Sequence, residues 1–239
     1  MMIDTAMEIS LNMSPRQQAI THIYDSLTLA IAQHKLRPGT RLIEAQIVSA
    51  LQVNRNHVQA ALQRMALQKI VTIEPNVGAA VAQPSAETAR EIFIARHAVE
   101  SAIIDCITPE KMSAYAKQID EQQQQEHEAS HSQDRQRITY QLGAFHQLLA
   151  VIAGNKVLED ILNNLMTMSS LIVMLYRRDE ASTCQCDEHQ QIIEHLRQGK
   201  TLQARQLMKA HLTDLEQQLN ISEASPYAMT LTQALTHSG

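Results

Sequence analysis

Tryptophan is absent, aromatic residues make up only 3% of the chain, and glycine and proline number six each among 239 residues. So little aromatic content argues against a β-sandwich, and so few turn-formers argue against a loop-rich protein. The three cysteines, Cys106, Cys184 and Cys186, are too few for a disulfide framework. Neither a secretory apolar segment nor a long uninterrupted apolar run is seen, so the expectation is a soluble, cytoplasmic protein without a membrane segment. What the chain does contain is Leu, Ile, Val, Met and Ala, the composition of helical bundles with aliphatic cores. Its length suits two modest domains.

Charge is unevenly spread. The net formal charge is −5. Residues 14–85 carry seven Lys or Arg against three acids, and residues 86–239 carry thirteen against twenty. A mildly basic head on an acidic body suits a nucleic-acid reader joined to a separate domain.

The most structured stretch of that head is 43–64. Ile43, Ile47, Val48 and Leu51 fall at helical spacing, and so do Val58, Ala61, Leu62 and Met65. Gln52-Val53-Asn54 lies between the two runs, with Val53 as an apolar pin and Asn54 placed to cap the second helix. That helix shows solvent a polar row of Arg55, Asn56, Gln59 and Gln63, side chains suited to base edges and phosphates in a major groove. Upstream, residues 15–35 read as an amphipathic helix, followed by a turn at Leu36-Arg37-Pro38-Gly39-Thr40. Downstream, the β-prone runs 70–73 and 79–82 bracket a Pro- and Gly-containing turn. Three helices and a hairpin make a winged helix-turn-helix.

Residues 36–44, LRPGTRLIE, resemble the L-x-P-G-x-x-L-x-E segment of the GntR family of bacterial transcription regulators. Residues 53–65 are similar to that family's V-S-R-T-P-V-R-E-A-L-x-R-L recognition helix, and residues 76–81 to its wing. The resemblance covers about residues 15–83 and implies DNA binding through Arg41, Asn54, Arg55, Asn56, His57, Gln59 and the wing residue Gly78. There are departures. Gln59 stands where the family has a second arginine, Asn54-Arg55-Asn56-His57 stands for Ser-Arg-Thr-Pro, and Ala45 and Gln46 offer no basic residue on the preceding helix. Weaker phosphate contact or a different operator is expected.

The boundary falls at Gln83-Pro84-Ser85. Ser85 can cap a helix running to about 107, and Thr108-Pro109-Glu110 opens another that continues through Gln122–Gln125, a stretch expected to face solvent. Further helices are read at 134–152, 156–178, 184–198 and 201–220. The apolar 156–178 segment is the expected central helix of an antiparallel bundle of six or seven helices. The expected fold is therefore mainly α: a flexible lead-in over 1–13, a winged helix-turn-helix over 14–83 with a small hairpin wing, the helical bundle over 85–221, and a partly ordered tail over 222–239.

This second part is similar to the effector-binding FCD domain of the FadR-type branch of the same family. Arg96 to Glu100 resembles its R-x-x-L-E, Phe145-His146 through Gly154-Asn155 its F-H-x-x-L-x-x-x-A-G-N, and Glu188-His189 with His211-Leu212 its closing helices. Spacing adds a geometric point. His189 lies ten residues before Gly199 and His211 eleven after Lys200. At about 1.5 Å per residue both sit some 15 Å from the bend, level with each other in an antiparallel pair. With His146 from another helix they could hold a divalent ion such as Zn²⁺, or line a pocket as hydrogen-bonded polar groups. Many relatives add an aspartate four residues before the first histidine; here that residue is Leu142, so water or an effector carboxylate would complete the set. Arg96 needs a carboxylate, supplied by an effector acid or by Glu100. Cys184 and Cys186 are thiolate-ligand candidates or simply free thiols.

The leading expectation is a homodimeric transcriptional regulator, a repressor, that binds a pseudo-palindromic double-stranded DNA operator. Its binding would be tuned by a small organic acid at Arg96, Glu100, His146, His189 and His211. The alternative is an effector-binding protein whose degraded head acts through protein partners. A metal hydrolase is disfavoured: Glu188, adjacent to His189, points elsewhere on its helix, and neither an H-E-x-x-H nor a nucleophile elbow occurs.

Overall fold

The Ser14 hydroxyl accepts a hydrogen bond from the Gln17 backbone, while the Gln17 side chain accepts one from the Ser14 backbone. This capping box, with Pro15 at the first helical position, starts α1 (Pro15–Ala32). The computed structural model describes residues 14–132, 134–176 and 186–219. The lead-in over 1–13, the tail over 222–239 and Cys184 lie outside the described residues. The chain divides into two compact units, Met1–Gln83 and Pro84–Gly239.

In the first unit, Ile23, Leu27 and Ile31 form the buried stripe of α1. The helix stops three residues earlier than its sequence suggests, because His34 adopts a left-handed backbone (φ 56°). Next come a short strand β1 (Arg41–Leu42), α2 (Glu44–Leu51) and α3 (Arg55–Leu67), then the wing strands β2 (Val71–Glu74) and β3 (Gly78–Val81). The wing is a three-stranded antiparallel sheet in the order β1-β3-β2, not a bare hairpin. The added strand pairs Arg41 with Ala80 and Leu42 with Ala79. Gly39 makes that return possible: its N–H donates to the Val81 carbonyl at 2.9 Å, and it has φ +79°, a conformation side chains disfavour.

Between α2 and α3, Gln52 takes a left-handed conformation (φ 53°, ψ 44°) to end the first helix. Asn54 caps the second, its side chain accepting from the Asn56 backbone at 2.8 Å. Val58, Ala61, Leu62 and Met65 pack inward. Arg64 lies over the Tyr24 ring at 4.3 Å, and the Tyr24 hydroxyl donates to Gln68 at 2.6 Å, tying α1 to the end of α3.

The second unit is an antiparallel bundle of α4 (Ala86–Asp105), α5 (Pro109–Ala114), α6 (Ala116–Ser130), α7 (Arg135–Ala153), α8 (Lys156–Tyr176), α9 (Cys186–Arg197) and α10 (Thr201–Gln217). Ser85 caps α4 through the Thr88 backbone. The single helix expected from Thr108 through Gln125 is two. Tyr115 (φ −104°, ψ 15°) leaves helical geometry and serves as the C-cap of α5 and the start of α6. α5 is pinned by Lys111, whose Nζ donates to the carbonyls of Cys106 (2.8 Å) and Ala153 (2.6 Å), at the C-terminal ends of α4 and α7. Gln122 is also not on a solvated face: it is buried and donates to the Gln141 carbonyl.

The main core joins Ile103, Ile104, Phe145, Leu149, Leu162, Ile192 and Met208, and a second cluster gathers Phe93, Ile172 and Tyr176. α8 is long and apolar enough to cross a membrane by length and composition. In the fold it packs against α4 and α7 and buries Leu162, Leu165, Met168, Leu171 and Ile172. Truncating Leu162 to Ala, fully buried here, should cost about 2–5 kcal/mol of stability by chemical denaturation. Leu202→Ala, at an exposed position, should change it by less than about 0.5 kcal/mol.

Candidate nucleic-acid interface and metal centre

Two constellations stand out, one in each unit. In the first, the apolar faces of α2 and α3 are used up in packing, so the remaining face of α3 is polar. Arg55, Asn56, Gln59 and Gln63 are all exposed, and His57 is half-buried. Arg41, Glu44, Arg55, Val77 and Gly78 line a cleft of about 510 Å³ between the wing and the starts of α2 and α3. The fold therefore brings the sequence candidates Arg41, Arg55 and Gly78 to one place. Asn54 is occupied as a helix cap. Glu44 is a member that sequence reasoning passed over. Its carboxylate accepts from Arg55 Nε at 2.7 Å and from Gln59 Nε2 at 3.1 and 3.3 Å. The hydrogen bond from Arg55, helped by that from Gln59, holds the Glu44 carboxyl below its ordinary range.

In the second unit, α4 carries a buried row in which Phe93, Ile103 and Ile104 flank two charged residues, Arg96 and Glu100. Glu100 accepts from Arg96 Nε at 2.8 Å and meets His146 Nδ1 of α7 at 2.5 Å. Arg96 Nη1 reaches the Ser169 hydroxyl of α8 at 3.3 Å, while Nη2 is buried without a hydrogen-bond partner among the described residues. His189 of α9 sets Nδ1 at 3.0 and 3.1 Å from the two carboxylate oxygens of Glu126 on α6, and Phe145 stacks on its ring at 3.7 Å. His211 of α10 sets Nδ1 at 2.6 Å from Glu188 of α9. Each histidine thus has its own carboxylate on Nδ1.

The other ring nitrogens converge. Nε2 of His211 is 3.3 Å from Nε2 of His189 and 3.3 Å from Nε2 of His146. All three histidines offer ligand atoms within 4.8 Å of one another, and all three are buried. Burial pushes His146 down to about 3 against the pull of Glu100, and pushes His189 well below its ordinary value. Both are neutral at physiological pH. Burial would raise Glu100, but Arg96 and His146 hold it far below the usual carboxylate range. Burial raises Glu126 to about 7, opposed by the Gln122 hydrogen bond. A neutral imidazole that donates Nδ1–H to a carboxylate has its lone pair on Nε2. Lone pairs facing each other at 3.3 Å repel unless a cation lies among them. Tetrahedral zinc with bonds of ~2.0–2.1 Å would place its nitrogens about 3.3–3.4 Å apart. The residues fit such an ion, and the carboxylates behind them are the outer partners that metal-binding histidines use.

The sequence-predicted Arg96, Glu100, His146, His189 and His211 all meet here. Glu126 and Glu188 were missed as members. Glu126 sits in the same buried row as Ile119, Gln122 and Ala129, a helical period that could have flagged it despite the polar stretch around it. Glu188 does point away from the His189 ring, as expected, but toward His211. Leu142, one turn before His146, is half-buried. Cys186 donates toward the Glu126 carbonyl at 3.7 Å and is outside the three-histidine group.

Each of the two units matches a known family. Residues 19–81 match the family of bacterial regulatory proteins named gntR, and residues 91–214 match the FCD domain. The uncharacterized HTH-type transcriptional regulator YdhC of Bacillus subtilis (strain 168) is 22% identical over 193 residues, 79% of this chain and 85% of that protein. Among solved structures, a Rhodococcus sp. RHA1 protein described as a GntR transcriptional regulator is 28% identical, with a TM-score of 0.72 over 86% of this chain and 98% of the other. E. coli McbR/YncC shares the fold at 15% identity, with a TM-score of 0.68 over 82% of this chain and 94% of the other. The protein is a DNA-binding transcriptional regulator and not an enzyme; its FCD domain implies a small-molecule effector. On its winged head, its helical bundle and these matches, the chain belongs to the GntR family, in the branch that carries an FCD domain.

Proposed function

We infer that this regulator is a cytoplasmic, homodimeric repressor that releases a pseudo-palindromic operator when a small carboxylic acid occupies its bundle. The observation that carries the reading is the three-histidine centre, with every Nδ1 held by a carboxylate and the Nε2 atoms turned toward one another. His146, His189 and His211 hold a divalent ion. When bound, the ion supplies a Lewis-acid point for an effector oxygen. Glu100, Glu126 and Glu188 fix the tautomers and ring orientations. Arg96 is gripped by Glu100 and Ser169, and its uncommitted Nη2 is the donor that faces the effector carboxylate. On the head, α3 enters the major groove with Arg55, Asn56, His57 and Gln59. Arg41 and the Gly78 wing meet the backbone beside it.

Elemental analysis with native mass spectrometry tests the bundle half of this reading. The expected result is one divalent ion per chain, lost in His211→Ala, with a thermal midpoint that falls on chelation. An ion present at a thousand times its Kd would contribute about 4 kcal/mol. Protein that remains metal-free after incubation with Zn²⁺, Ni²⁺ or Mn²⁺, with a midpoint indifferent to chelator, would refute the metal assignment.

The head is tested by Arg55→Ala. Its operator affinity should fall by about 1–3 kcal/mol if the guanidinium reads a base, or with a salt slope shallower by about 1 if it holds a phosphate. Affinity and slope both unchanged would remove Arg55 from the interface.

A further inference from the structure

Gln59 stands where the recognition helix of relatives carries an arginine, and the structure shows how it is held. Glu44 opens α2, Arg55 opens α3, and Gln59 follows Arg55 by one turn on the exposed face. The Gln59 amide nitrogen lies 3.1 and 3.3 Å from the two Glu44 carboxylate oxygens, and Arg55 Nε donates to the nearer of them, Oε2, at 2.7 Å. An ionised carboxylate only accepts hydrogen bonds, so the Gln59 amide must present its NH₂ to Glu44. The usual ambiguity between amide oxygen and nitrogen does not arise here. The amide carbonyl is thereby turned outward as a fixed acceptor.

In the major groove, adenine and cytosine offer an amino hydrogen, whereas guanine and thymine offer acceptors. We propose that Glu44 orients Gln59 so that its carbonyl reads an amino-bearing base, adenine or cytosine, and that Glu44 is thereby a specificity-determining residue of this regulator. An arginine at the same position can only donate, and would select guanine through its O6 and N7. The substitution that looks like a loss of affinity relative to the family is on this view a change of recognition code. The inference rests on α3 lying in the groove, as proposed above.

The test is selection of duplexes from a library with a randomised segment, using the full-length protein and its Q59R, Q59A, E44A and E44Q variants. The wild type should enrich adenine or cytosine at one position of each half-site. Q59R should turn that position to guanine, and Q59A should leave it unspecified. E44A should blur the same position and weaken binding to the best wild-type site by roughly 2- to 10-fold, the worth of one hydrogen bond. E44Q, which keeps one acceptor oxygen, should fall between E44A and the wild type. Circular dichroism reports folding of each variant; were E44A to unfold, the two Gln59 variants would still decide. A wild-type motif that is the same in Q59R and Q59A overturns the proposal and leaves α3 as the DNA-binding helix. A wild-type protein that enriches no motif overturns both.

Discussion

Charge buried in an apolar bundle must be matched locally, because each unpaired ion costs several kcal/mol in so poor a solvent. The Arg96–Glu100–His146 chain is where this protein meets that demand. Arg96 and Glu100 are 1% and 2% exposed and one helical turn apart on α4, so the helix itself sets the pair. Glu100 has a second oxygen, and it fixes His146 across the α4–α7 contact. Ser169 on α8 takes a further guanidinium nitrogen. Three helices are thereby registered by one polar thread. A hydrophobic substitute would pack as well, but would not orient an imidazole.

The same reasoning explains what was legible in the sequence. Strong periodicity marked α3, α4 and α8, and the Gly199 turn let simple arithmetic place His189 and His211 side by side. The two rings do lie level, with their Nε2 atoms 3.3 Å apart. Features without a periodic or compositional signal were not legible. β1 is two residues long and exists only because β3 offers it a partner. The break at Tyr115 has neither proline nor glycine to announce it; it accompanies the tether of α5 through Lys111 to two helix ends far apart in sequence. Glu126 was hidden because glutamines surround it, and polar residues on three sides of a helix read as solvent exposure even when the fourth is buried. Glu188 was hidden by a sound rule applied too narrowly. A residue next to a ligand cannot share its centre, yet it can reach the back of another ligand's ring on a neighbouring helix.

By the resemblance, Gln59 stands where relatives carry an arginine, and Leu142 where many relatives, though not all, carry an aspartate. The structure gives Gln59 a defined carboxylate partner. Around the histidines it shows three carboxylates on Nδ1 atoms, none of which requires residue 142. A missing ligand leaves room for an exchangeable oxygen, as a binding site needs and a purely structural site does not.

Charge balance then narrows the occupant. Three carboxylates, Glu100, Glu126 and Glu188, stand behind the histidines, and Arg96 is the guanidinium paired among them. A cation among the Nε2 atoms would meet that carboxylate excess; without one, uptake of protons would relieve it. Glu126 is the group poised to take one, since burial has already raised it to about 7. On the proposed reading, an anionic effector needs a donor of its own, and Arg96 Nη2 is a buried guanidinium nitrogen with no hydrogen-bond partner among the described residues. The electrostatics of the pocket suit the proposed order, a divalent ion first and a small acid second.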